Sequence, residues 1–301
     1  MLLSELGEFG LLRELERRGL AHGIGDDASV FEDGFVITQD ALVEGIHFRL
    51  ETTSWRDLGY KAAAVNLSDL AAMGAEPAGL LVSLAVPDVR VEDVLDLYRG
   101  LTEPGFAVVG GDTTQADHLA VAVTAVGQSA RVPGRAGAKP GDVLVVTGPL
   151  GGSAAGLRVL EERLDGFEEL AERHRRPPFR LDAARLLAPT AHALIDLSDG
   201  IASDAERIAE RSGCRLAIDV DALPLAPRLD EVGEEPFWTL GEDYELLAAL
   251  APDDPAQDEF TLVGSCEAGE GVALSRGGEL LDLAGWEHFR QPSCEASNEI
   301  R

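Results

Sequence analysis

Aspartates stand at unusual places in this chain. Asp26 and Asp27 follow Gly25, Asp40 closes the apolar run 35–38, and Asp112 follows Val108-Val109-Gly110-Gly111; Asp196 ends the run 193–195, with Asp199 three residues on. Carboxylates at the carboxyl ends of strands, beside glycines, sit where α/β folds place ligands. Any one of them, taken alone, reads more readily as a turn-former or a helix N-cap. Four such sites in one chain move the balance toward a ligand. Asp69 is more telling. Ala62, Val65, Asp69 and Ala72 share one stripe of a helix predicted over 55–73. A carboxylate in an apolar stripe must be paired or metal-bound, because burying it alone is very unfavourable. Lys61 and Arg56 are the only basic residues on that helix. Clustered carboxylate oxygens suit hard divalent cations, and such cations let an acidic protein hold a polyphosphate. Gly148–Gly152 ahead of a predicted helix either offers N–H groups to an anion or is a plain loop.

Other chemistries are excluded by what is missing. No GxxxxGK[ST] loop, HExxH pair or GxSxG elbow occurs, and the six histidines never fall at metal-ligand spacing. Three scattered cysteines without a CxxC make no disulfide framework. The net charge of −29 argues against nucleic-acid binding and against anionic lipid. Residues 1–10 lack the basic start of a signal peptide, and the longest apolar run, 78–86, is far short of a membrane span. A cytoplasmic location is expected. Of the 25 basic residues only Lys61 and Lys139 are lysines. An acidic, lysine-poor surface suits a salty, halophilic cytoplasm, where ~1 M salt shortens the screening length to ~3 Å.

The elements that must position these residues follow from periodicity. Helices are expected over 4–18, 55–73, 91–101 and 200–211, with another starting at Ser153. A hairpin is expected over 28–38, and strands over 79–86, 106–109, 118–128, 143–147, 193–195, 216–220, 244–250, 260–263 and 272–274. The Pro/Gly-rich stretch 133–141 divides the chain into domains 1–136 and 137–301. A weak internal echo links Asn66-Leu67-Ser68-Asp69 with Asp196-Leu197-Ser198-Asp199. The fold class is α/β (α+β).

An ordered set of motifs then resembles the thiamine-monophosphate kinase family. These are Gly23-Ile24-Gly25-Asp26-Asp27-Ala28, Asp40-Ala41-Leu42-Val43-Glu44-Gly45-Ile46-His47-Phe48, the helix from Tyr60 to Gly74, Gly110-Gly111-Asp112-Thr113-Thr114, Gly137–Asp142, Ile195-Asp196-Leu197-Ser198-Asp199-Gly200 and Gly241-Glu242-Asp243-Tyr244-Glu245-Leu246. The resemblance implies a two-domain aminoimidazole-ribonucleotide-synthetase-like fold. Its N-terminal mixed sheet with helices would dimerise, and its C-terminal α/β domain would pack beside it. It also implies phosphoryl transfer from ATP to thiamine monophosphate with several Mg²⁺ ions. By resemblance Asp27, Thr38, Gln39, Asp40, Asp69, Asp112, Asp196 and Asp199 are metal ligands. Gly111, Asp112, Arg135 and Ser198 are ATP contacts; His47, Glu242 and Trp286 are contacts to the thiamine substrate. Gln39 departs from the Thr usual there, so it would ligate through its amide oxygen or its backbone carbonyl. A phosphate acceptor is largely ionised at neutral pH (second pKa ~6), so no general base is needed. The competing readings are a sibling ATP-dependent enzyme of the superfamily and a non-catalytic protein that binds divalent cations or nucleotide.

Overall fold

The computed structural model describes residues 2–281. The first half contains α1 (Leu3–Leu6), α2 (Glu8–Arg17), β1 (Ser29–Val30), β2 (Phe35–Val43), α3 (Trp55–Ala72), β3 (Glu76–Val86), α4 (Val91–Thr102), β4 (Val108–Gln115) and β5 (Ala120–Gln128). The second contains β6 (Val143–Val146), α5 (Gly152–Glu162), α6 (Glu168–Arg175), α7 (Leu181–Leu187), β7 (Ala193–Asp196), α8 (Ile201–Ser212) and β8 (Arg215–Asp219). It ends with α9 (Leu229–Val232), β9 (Leu246–Leu250), β10 (Thr261–Glu267), β11 (Val272–Arg276) and β12 (Glu279–Leu281). The molecule is a mixed α/β protein with two sheets, as expected.

The first sheet runs β1-β2-β5-β3-β4, antiparallel except for the parallel β3/β4 pair. Strict alternation sends Val36, Leu42, Leu80, Val82, Val121 and Val123 into a core shared with Leu58, Ala62 and Leu70 of α3. The opposite sheet face is open and carries Phe35, Leu81 and Val109 in exposed positions. The second sheet runs β12-β11-β8-β10-β6-β9-β7. It packs Leu144, Ile195, Leu216 and Leu247 against Ile201, Ala205 and Ile208 of α8.

Helix α3 joins the halves. Ser54 caps its start by accepting from Asp57 N at 3.1 Å, and a run of small residues lets it be buried all round. Its far end, Ala71 and Ala72, belongs to a core with Val145, Leu187, Leu194 and Leu246 of the second half. Toward α4 it touches backbone to backbone, because a Cβ on Gly59 would lie 1.9 Å from the Leu97 carbonyl, and one on Gly100 would lie 1.9 Å from the Arg56 carbonyl.

Four expectations are corrected. The single helix over 4–18 is broken at Gly7, whose φ of 72° no helix accommodates. The strand expected over 106–109 instead runs Val108–Gln115, so Asp112 lies within a strand. Gly111 is required there, since a Cβ would come within 1.9 Å of the Val82 carbonyl on β3. Asp40 likewise lies inside β2, which continues to Val43. Tyr244 precedes its strand rather than opening it, with φ of 51°. Helices α6, α7 and α9 are short, and their periodicity does not stand out in the sequence.

Candidate active site

The site lies where the two halves meet. A cavity of about 670 Å³ is lined by Asp27, Thr38, Gln39, Asp40, His47, Asp69, Arg135, Asp196, Ser198, Asp199 and Glu242, among others. At its acidic end one carboxylate oxygen from each of Asp27, Asp69 and Asp196 falls within 4.8 Å of the others. Three separate elements deliver them: the loop before β1, the last turn of α3 and the carboxyl end of β7. Thr38 Oγ1 on β2 donates to Asp69 and stands 3.2 Å from the Asp27 carbonyl. One turn away on α3, Asn66 Oδ1 accepts from Asp40 N at 3.1 Å, and Ser68 Oγ donates to Asp196 Oδ2 at 2.7 Å.

Burial and mutual repulsion act together on these groups. Asp69 is pushed well above the usual carboxylate range by desolvation, then by the charges of Asp40, Asp196 and Asp27; its bond from Thr38 opposes the shift. Asp196 is raised in the same way, first by burial and then by Asp27. The cation that meets this trio is Arg135, whose Nη2 lies 2.5 Å from Asp27 Oδ1. Burial lowers the Arg135 guanidinium's proton affinity, but Asp27, Asp204 and Asp196 together outweigh it and the net shift is upward. Asp27 Oδ2 is buried with no hydrogen-bond partner among the described residues. An orphaned carboxylate oxygen beside two more carboxylates, with only oxygen donors around, is the set a hard divalent cation takes. The residues therefore fit Mg²⁺.

The glycine-rich turn before α5 does not wait for an external anion. Gly151 N and Ser153 N donate to the Asp243 carboxylate at 2.6 and 3.2 Å, so the chain caps that helix itself. Burial raises Asp243 to about 7 against these two bonds. Loop 196–200 is stitched to loop 241–245 by Leu197 N to Glu245 O (2.8 Å), Tyr244 N to Leu197 O (3.0 Å) and Glu242 N to Ser198 O (2.8 Å). This clamp holds Ser198 and Glu242 side by side. Asp199 is ion-paired with Arg207, and its N–H donates to the buried Asp204 at 3.0 Å. Asp204 is raised to about 8, burial and Asp199 outweighing Arg207.

The other sequence-predicted residues fall as follows. Gln39 Oε1 accepts from Thr124 Oγ1 at 3.0 Å, on the sheet face opposite Thr38 and Asp40. Gly111 and Asp112 lie on β4, separated from β2 by β5 and β3, about 14 Å at ~4.8 Å per strand. They are outside the cavity lining of a single chain. Trp286 lies outside the described residues. His47 Nδ1 accepts from Val43 N at 3.1 Å, leaving Nε2 as the protonated ring nitrogen. Of the two basic residues that share the helix with Asp69, Lys61 pairs with Glu242 at 2.9 Å and Arg56 pairs with Glu103. Sequence reasoning passed over Asn66, Ser68, His174, Asp204 and Arg207. For Asn66 and Ser68 the signal was present, since polar residues in a small-residue helix need buried partners.

Fold and site together define an AIR-synthase-type protein, two α/β halves around one acidic cleft. The chain matches AIR synthase related protein, N-terminal domain, over residues 25–129 and AIR synthase related protein, C-terminal domain, over 139–270. It is 37% identical to the thiamine-monophosphate kinase of Aquifex aeolicus, covering 96% of this chain and 100% of that one. It is 39% identical to that of Salmonella typhimurium over 95% and 99% of the two chains. The structure of AaThiL complexed with AMPPCP and TMP superposes with a TM-score of 0.88 at 35% identity, covering 96% of this chain and 99% of that one. This chain belongs to the thiamine-monophosphate kinase family. The hydrogenase maturation protein HypE shares the fold at 17–21% identity.

Proposed function

We propose that this chain transfers the terminal phosphoryl group of ATP to a phosphate oxygen of thiamine monophosphate, giving ADP and thiamine diphosphate. The convergence of Asp27, Asp69 and Asp196 from both halves on one cleft carries the reading. Both reactants are polyanions, so the difficulty is electrostatic, and positioning with charge neutralisation supplies the catalysis. Bound Mg²⁺ would neutralise and align the phosphates. Asp27, Asp40, Asp69, Asp196 and Asp199 would hold it, with Thr38 through its hydroxyl and Gln39 through its main-chain carbonyl. Arg135 and Ser198 would contact ATP, and His47, Glu242 and Trp286 the thiamine moiety. No side chain is required as a general base, because the acceptor phosphate is already ionised at neutral pH.

Gly111 and Asp112 enter this reading through a second copy of the chain. β4 is an unpaired edge, and the open sheet face beside it carries Phe35, Leu81 and Val109. A homodimer pairing these faces would bring Asp112 of one protomer toward the cleft of the other. Residues 1–136 would form the dimerising, nucleotide-binding domain and 137–301 its companion. Among the described residues no helix is long and apolar enough to cross a membrane, which accords with a cytoplasmic enzyme. The surplus of carboxylates over basic residues accords with a salt-requiring one.

The test is transfer of label from the terminal phosphate of ATP to thiamine monophosphate, with and without Mg²⁺, at high and low salt. Transfer that chelation abolishes and added Mg²⁺ restores is the expected outcome. ATP turnover only with a different acceptor, or no turnover, overturns the reading.

A further inference from the structure

One of the two lysines in the chain, Lys61 on α3, is buried, only 1% exposed. Lys61 Nζ lies 2.9 Å from Glu242 Oε1 and 3.4 Å from the His47 carbonyl oxygen. A single ammonium thus ties together two residues that line the cavity wall from different halves of the molecule. The second oxygen of Glu242 is approached by His174 Nδ1 at 3.4 Å, and the same ring nitrogen is 3.1 Å from Ser153 Oγ on α5. His174 is buried, whereas Glu242 keeps 28% of its side chain exposed toward the cleft. Glu242 also sits at φ of 59°, a left-handed conformation that a non-glycine residue holds only when its surroundings enforce it.

We propose that Lys61 and His174 are positioning residues that hold the Glu242 carboxylate as a rigid acceptor for the amino-bearing ring of the substrate. This rests on the reading of Glu242 as a substrate contact. Because the lysine already balances the carboxylate's charge, Glu242 is poorly suited to act as a counter-ion. What it offers is a fixed lone-pair direction, which selects a ring carrying an amino donor over one carrying an oxo group at the same place. His174 is well suited to a bracing role, since burial followed by the nearby Lys61 charge lowers it to about 4 and keeps it neutral. Lys61 could be thought a mere core filler. A hydrophobic residue would fill that volume without the cost of desolvating an ammonium, so a lysine there points to the pair it makes.

Calorimetry reads the proposal without turnover, using thiamine monophosphate, its 4-oxo analogue and AMPPCP as probes. In Lys61→Met the Kd for thiamine monophosphate rises about 10- to 100-fold, and that for AMPPCP stays within about twofold. The preference for the amino over the oxo ring collapses toward unity. His174→Gln, which keeps a donor, stays near wild type, whereas His174→Leu shifts the same way as Lys61→Met. The double variant Lys61→Met/Glu242→Gln binds no more weakly than Glu242→Gln alone, because the lysine acts through the glutamate. That double variant removes both charges together, so it keeps the test alive if Lys61→Met fails to fold. Equal weakening toward both ligands, or losses that multiply in the double variant, overturns the proposal. Wild-type binding without phosphate transfer refutes the proposed reaction and leaves this coupling to be judged on Kd. Absence of thiamine monophosphate binding by the wild type overturns both.

Discussion

Asp69 and Glu242 are carboxylates on the same cleft, and their surroundings drive them in opposite directions. Burial raises both. Around Asp69 the next contributions are the charges of Asp40, Asp196 and Asp27, so the shift grows. Around Glu242 the leading one is the Lys61 ammonium, and the net shift is downward. Burial alone therefore says little about a carboxylate's role; the sign of its neighbours decides. One end of the cleft concentrates negative charge that an incoming cation would relieve. The other is charge-balanced in advance and has only geometry to offer. The two ends should respond differently to the same kind of substitution.

The largest contrast is expected at Asp69. Asp69→Asn removes one of three crowded carboxylates, and phosphoryl transfer should fall by roughly 10³-fold or more. The melting temperature measured without divalent cations should rise, because like-charge repulsion is relieved. A variant with near-normal turnover would break the comparison. Next is the pH dependence of stability contributed by His174. Its folded value of about 4 lies below the 6.5 of the free side chain, so the unfolded chain binds more protons between those values. Stability is complete above pH 6.5 and declines by about 3 kcal/mol as pH falls toward 4. His174→Gln should flatten that slope in thermal melts, sharpening the claim that this end is braced by a neutral ring.

A smaller effect separates scaffold from cleft. Gly100→Ala drives a Cβ into the Arg56 carbonyl at the α3/α4 crossing. It should cost about 2–3 kcal/mol in denaturant titration and leave the activity of the folded fraction unchanged. Smallest of all, Arg90→Ala breaks an exposed pair with Asp93 and should leave the denaturant midpoint indistinguishable from wild type.

Much of the acidic end could be read from the residues. Asp69 betrays itself by interrupting an apolar stripe, and that rule needs no knowledge of the partners. Strand alternation separates Gln39 from Thr38 and Asp40, because a period of two sends the middle residue to the far face of β2. The position of Asp112 could not be read in this way. Its strand continues past the two glycines because Gly111 lets β4 lie close against β3, a contact between segments far apart in sequence. The partner of Lys61 was equally hidden. The helix pattern offered Asp69, on the same element, whereas the true partner comes from a loop in the other half of the chain. Local periodicity reports which side chains are buried; only the tertiary arrangement reports against what.

Helix α3 carries Lys61 near its start and Asp69 more than two turns later, without a break between them. At ~1.5 Å of rise per residue the two stand about 12 Å apart along one rigid rod. That rod acts as a ruler between the place where the substrate's ring would be gripped and the place where its phosphate would react. A one-residue insertion between Lys61 and Asp69 would turn one mark by about 100° relative to the other. If ring and phosphate are held at these two marks, an acceptor with a shorter or longer span between them would reach one and miss the other.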